Sequence, residues 1–239
     1  MPGLEHLPFA EVWFHEIDDA RWREASAAAR AIGKTGLEAW TTDRTPEVAA
    51  FLEARGYEVV RRYVISELDV AAAPEPAPPQ LELTTFAERP DLARGLFEIA
   101  RESYPDQPGR PEQRMDSFDE WRSWGLDSHP ADTYFIALEE NRAIGYGFLD
   151  VEDGTWSHGF TAVARAARGR GVASSIKRAQ LRWAKDNGVP ALRTANEERL
   201  LGMLAMNRRL GYRPLYTELV LRGPVAQVPP AGFEPALPA

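Results

Sequence analysis

The stretch AAAPEPAPPQ, residues 71–80, limits what the rest of the chain can become. Its four prolines lack backbone donors and fix φ, so neither a helix interior nor an inner strand can run through it. It reads as a semi-rigid linker. It divides the 239 residues into a segment 1–70 and a larger segment 81–223. A second proline-rich stretch, PVAQVPPAGFEPALPA, reads as a tail over 224–239. Segment 81–223 has the size of a full domain, whereas 1–70 is short for a self-sufficient core.

Both segments alternate helix-period and strand-period patterns, which predicts an α/β chain. The first runs helix (RWREASAAARAIGKTG), strand (LEAWTT), helix (TPEVAAFLEARGY) and strand (RRYVISELDV). The second ends with helix (IKRAQLRWAKDNG), strand (ALRTAN), helix (ERLLGMLAMNRRLGY) and strand (YTELVLRG). Both short helices finish on Gly-Tyr, at Gly56-Tyr57 and Gly211-Tyr212, where glycine suits a left-handed cap. This predicts a degenerate internal repeat. Within 81–223, DLARGLFEIARESY and SFDEWRSWGL read as helices. TYFIALEE, AIGYGFLDVE and WSHGFTAV read as strands.

The strand WSHGFTAV leads directly into ARAARGRGVASSIKRAQ, 164–180, with two glycines in the tetrapeptide Arg168-Gly169-Arg170-Gly171. From Gly171 the pattern turns helical, with Val172, Ile176, Ala179 and Trp183 on one stripe. The glycines therefore sit where a strand ends and a helix begins. Free amides and the positive helix end converge there, and glycine lets an anion approach the backbone. A Walker A loop is excluded, because Gly171-Val172-Ala173 lacks the Gly-Lys-Ser/Thr ending. A dinucleotide fingerprint is disfavoured, because the next strand ends in Thr194-Ala195-Asn196 without an acid. A net charge of −8 argues against a general nucleic-acid binder. The absence of cysteine excludes disulfides, thiolate metal sites and a cysteine nucleophile. No run approaches the ~20 apolar residues that span a membrane, and a cytoplasmic protein without membrane partners is expected.

On these residues the chain resembles the GNAT superfamily of acyl-CoA-dependent N-acyltransferases. The family hallmark Gln/Arg-x-x-Gly-x-Gly/Ala is matched by Arg168-Gly169-Arg170-Gly171-Val172-Ala173. The likeness extends over the preceding FTAV, the following helix with Lys177, the strand ending RTAN and the helix MLAMNRRLGY, and so over most of 81–223. It implies a mixed, mostly antiparallel sheet flanked by helices, preceded here by a partial, non-catalytic GNAT-like half-domain at 1–70. It implies acetyl-CoA as acyl donor, no metal, and a pyrophosphate held by Arg168, Gly169, Arg170, Gly171, Val172 and Ala173. The backbone of Thr161, Ala162 and Val163 is expected along the pantetheine arm.

Asn207 lies on the apolar face of its helix, where many members of the family place a tyrosine acid; Asn207 and Asn196 are candidate contacts to the CoA arm. Candidate catalytic residues are His158 and Ser157. Ser157 stands where several relatives carry a glutamate base, and serine can serve only through a water relay to Asp150, Glu152 or Asp153. Strand alternation turns His158 to the opposite face from Ser157. Tyr104, Asp106, Trp121 and Trp124 are the candidate pocket for a cationic amine. Two functions stay open: an N-acetyltransferase acting on a small amine by direct attack, or a non-catalytic module that senses acyl-CoA. A second copy of the chain is a candidate partner.

Overall fold

The computed structural model describes residues 7–77, 80–107 and 115–227. Residues 78–79 of the expected linker and 228–239 of the expected tail lie outside them. The chain forms two compact units: Tyr63–Tyr216, and His6–Arg62 together with the chain from Thr217. These limits differ from the proline-based boundaries.

In the smaller unit, β1 (Phe9–Trp13) runs parallel to β2 (Gly36–Thr42), and β2 pairs antiparallel with residues 218–224 of β9 (Arg213–Pro224). Helix α1 (Asp19–Ala31) connects the parallel pair, and its first turn is capped by Asp18, which accepts from the Arg21 amide at 2.8 Å. Helix α2 (Pro46–Glu53) opens on proline. Leu37, Ala39, Val48, Leu52, Tyr57, Leu219 and Leu221 form this unit's core. On the other face of β2, buried Glu38 is bracketed by Arg61 and by its register partner Arg222, whose Nε lies 2.7 Å away.

The larger unit contains β4 (Glu82–Thr85), α3 (Ala93–Ser103), α4 (Phe118–Gly125), β5 (Tyr134–Glu139), β6 (Arg142–Glu152), β7 (Thr155–Val163), α5 (Val172–Asp186), β8 (Ala191–Glu197) and α6 (Leu201–Leu210). Strand β3 (Glu58–Asp69) also enters it: residues 63–69 pair antiparallel with β8. The sheet follows β4-β5-β6-β7-β8-β3, antiparallel except between β7 and β8. Here too a register pair is charged, with Arg193 Nε 2.8 Å from Glu67. Each unit thus takes one strand from beyond the other's two helices: β3 follows α2 but completes the larger sheet, and β9 follows α6 but completes the smaller.

Helices α3 and α4 cover one face of the larger sheet through Leu96, Phe97, Trp121, Tyr134, Tyr146 and Phe148. Helix α5 covers the other through Val172, Ile176 and Leu181. Of the expected stripe on α5, Val172 and Ile176 are buried and Ala179 and Trp183 half-buried, while Ser175, Lys177 and Gln180 are buried as well. Among the described residues, no helix is long and apolar enough to cross a membrane.

Candidate functional site

Strands β7 and β8 pair at Trp156↔Leu192 and Ser157↔Arg193 and then part. The remainder of β7 pairs only on its β6 edge, through Thr161, Ala162 and Val163. Backbone groups on the β8 edge there have no ladder partner, and the Val163 carbonyl among them is taken by the Ser103 and Arg168 side chains. The parting begins beside a β-bulge. His158 lies opposite Leu149 and Thr161 opposite Gly147, so Gly159 and Phe160 together oppose Phe148. Glycine is required at 159: an ideal Cβ would stand 2.0 Å from Phe148 Cε2.

Beyond Val163 the chain makes one short turn and reaches the glycine loop at the start of α5. Gly169 and Gly171 are left-handed, at φ 74° and 80°, and apart from each glycine and its chain neighbours no heavy atom lies within 4 Å of where a Cβ would stand. The Ser175 amide bonds to the Gly171 carbonyl at 2.9 Å, so the amides of Val172, Ala173 and Ser174 precede this first helical bond. The result is a stretch of helix-start amides beside open space at a helix's positive end. The arginines flank it without pointing freely outward. Asp106 takes Arg168 at 2.7 Å and Arg165 at 2.9 Å, and Arg170 pairs with Glu139. Arg165, then Arg168, holds the Asp106 carboxyl below the usual carboxylate range. Arg168 Nε also donates to the Val163 carbonyl at 3.1 Å.

On the α5 face, a buried polar network spans the elements around the parting strands. Lys177 Nζ donates to Thr194 Oγ1 at 3.2 Å and Asn207 Oδ1 at 3.1 Å, and Asn207 Nδ2 donates to Asn196 Oδ1. Burial pushes the Lys177 amine down to about 7. His158 joins from β7, its Nδ1 donating to Gln180 Oε1 at 2.8 Å and its Nε2 accepting from the Tyr212 hydroxyl. Burial, and then Lys177, holds its imidazole well below the ordinary value. Both imidazole nitrogens are therefore engaged, on the face away from Ser157, and both ends of the Asn207 amide are occupied.

The opposite face is aromatic. Tyr104 packs on Phe160, with ring centroids 4.4 Å apart, and edge-on to Trp124 at 5.8 Å. Burial raises the Tyr104 phenol above its ordinary value. Of the four expected pocket residues, the structure brings Tyr104 and Trp124 together beside β7. Trp121, only 1% exposed, is a core residue of α4, and Asp106 is committed to the loop arginines. Ser157 shares this face with its register partner Asp150. His129, which the sequence reading does not single out, stacks on Phe148 with centroids 3.9 Å apart, its Nδ1 3.6 Å from Asp150. Residues 108–114, between the candidate pocket residues Asp106 and Trp121, lie outside the described residues.

The model of the acetyltransferase (GNAT) family matches residues 93–212, half of the chain. Three solved structures show the same fold. A GCN5-related N-acetyltransferase from Sphaerobacter thermophilus is 18% identical, with a TM-score of 0.68 over 87% of this chain and 67% of its own. A tandem GNAT protein from the clavulanic acid biosynthesis pathway is 21% identical, with a TM-score of 0.62 over 88% and 70%. A GCN5-related N-acetyltransferase from Kribbella flavida is 18% identical, with a TM-score of 0.58 over 89% and 78%. No curated protein matches the sequence. Strands β5 to β8 and the glycine loop lie within the matched residues, and the chain belongs to the acetyltransferase (GNAT) family of acyltransferases.

Proposed function

We propose that the protein transfers an acetyl group from acetyl-CoA to a primary amine of a small molecule by direct attack. The observation that supports this most is the continuity of two features: strands that part after Ser157↔Arg193, and an open left-handed glycine loop at the end of the same strand. The loop suits a pyrophosphate, because amides, helix end and cleared space coincide there. Residues Arg168–Ala173 would hold the phosphates, and the edge of Thr161–Val163 that faces away from β6 would run along the pantetheine arm. Asn196 and Asn207 would meet that arm only by exchanging bonds they now make with each other and with Lys177.

Bound acetyl-CoA supplies an activated thioester. With no cysteine to carry an acyl group, the amine nitrogen attacks it directly. Unpaired amides at the bulge and beyond would polarise the thioester carbonyl. Tyr104, Trp124 and Phe160 would form the apolar wall for the acceptor. The segment before the linker, with its β1-α1-β2-α2-β3 order, is a non-catalytic partial repeat of β7-α5-β8-α6-β9.

Thermal unfolding with acetyl-CoA, and CoA thiol release across a panel of primary amines, test this reading. Wild type should be stabilised by acetyl-CoA. Gly171→Glu should abolish that shift by setting bulk and negative charge where phosphate must sit. An equal shift in the variant would overturn the loop assignment, and binding without thiol release on any amine would favour the sensing module.

A further inference from the structure

The sequence offers His158 and, through a water relay, Ser157 as bases, and His158 is engaged on the α5 face. The α3 face offers another imidazole. His129 follows α4 and stacks on Phe148 with planes 25° apart. Phe148 in turn lies against the bulge, its ring closing on Gly159. One ring therefore separates His129 from the point where β7 turns away from its ladder. Asp150 stands beside the same imidazole, and Ser157 is Asp150's register partner, so His129, Asp150 and Ser157 form one row along the face that carries Phe160 and Tyr104.

We propose that His129, with the Asp150 carboxylate beside it, is the base that takes the proton from the acceptor amine; this rests on the transfer reading above. Nδ1 is buried 3.6 Å from Asp150, beyond hydrogen-bond distance and without another partner among the described residues; a proton on Nδ1 is favoured by the nearby carboxylate and leaves the Nε2 lone pair as acceptor. The ammonium form of the substrate gives one proton to Nε2. The free amine then attacks the thioester carbonyl carbon, the new C–N bond forms and the C–S bond breaks. The second proton lost by nitrogen ends on the departing sulfur, giving an amide and the CoA thiol, and the imidazolium returns its proton to water. Burial holds the His129 imidazole below its ordinary value while Asp150 opposes that shift, so the ring is neutral at physiological pH. Among the described residues, Asp150 is the charged group set against it.

The test uses the full chain with acetyl-CoA and putrescine, tryptamine, glucosamine or lysine as acceptor. His129→Gln should lower kcat at neutral pH by about 100-fold or more while the acetyl-CoA-induced thermal shift is unchanged. Its activity should recover at alkaline pH, where the amine deprotonates unaided. Asp150→Asn, a change at a half-exposed site, should lower kcat less. In histidine NMR titrations of the chain without ligands, it should also move the His129 midpoint further down. A His129→Gln enzyme with wild-type kcat at neutral pH, or a His129 midpoint unmoved by Asp150→Asn, overturns the assignment. If wild type acetylates none of the amines although acetyl-CoA binds, the transfer reading falls and the base assignment with it. If wild type turns over and His129→Gln matches it, only the base assignment falls.

Discussion

Lys177 is an ammonium group held out of water by its own fold, and that makes it a probe of pH. Its amine sits at about 7 in the folded chain against an ordinary 10.5. Between those values the unfolded chain carries a proton that the folded chain has shed. Stability should therefore rise with pH across that window, by about 1.4 kcal/mol per unit per proton, and be lost as pH falls toward the folded value. Below it both states are charged and the dependence ends. Lys177→Met removes this contribution. The difference in unfolding free energy between variant and wild type should change steadily from neutral pH to about pH 10, and a flat difference would show that Lys177 is not held neutral. None of this was readable beforehand. Lys177 marks the family resemblance in the sequence, but its burial depends on Thr194 and Asn207, which other elements bring to it. The loop glycines were legible because their requirement is local: a left-handed backbone between a strand and a helix. His129 was not, since only the folded sheet sets Phe148 and Asp150 beside it.

Among the elements, the long periodic ones were legible and the irregular ones were not. Helices α5 and α6 and strand β8 follow their apolar spacing. Strand β1 is five residues, partly exposed on both faces, and offers no clean alternation. The four-residue β4 stands just past the prolines and is equally faint. The bulge in β7 leaves no sequence mark except Gly159, which alternation alone would treat as an ordinary strand position. Its requirement can be measured. Gly159→Ala drives a methyl into the Phe148 ring and should destabilise the chain by about 1–3 kcal/mol. Adding Phe148→Leu should recover part of that loss, so the double variant should cost less than the sum of the singles. Strict additivity in equilibrium unfolding would mean that the two residues do not meet.

For the whole molecule, the exchanged strands matter more than the linker. Helix-strand order was legible in both segments, yet nothing in that order says which sheet a strand will join. The choice is reinforced by charged register pairs, Glu67 with Arg193 and Glu38 with Arg222. A chain of 72–239 lacks β3 and leaves β8 with a bare edge, a template for unwanted pairing. It should keep acetyl-CoA binding but lose solubility or thermal stability, and a chain of 58–239 should regain part of what was lost. Equal behaviour of the two truncations would show that β3 contributes nothing to the larger unit.

The same exchange sets a timetable. During synthesis β1, α1, β2 and α2 leave the ribosome early, but the strand that pairs with Gly36–Thr42 is made only after α6. The portion of the smaller unit that emerges first must wait through the making of the whole acyltransferase domain with its β2 edge open. It closes across a long sequence separation, the slow kind of contact. The edge at Gly36–Thr42 therefore stays a template for other strands until Glu218–Pro224 have been made.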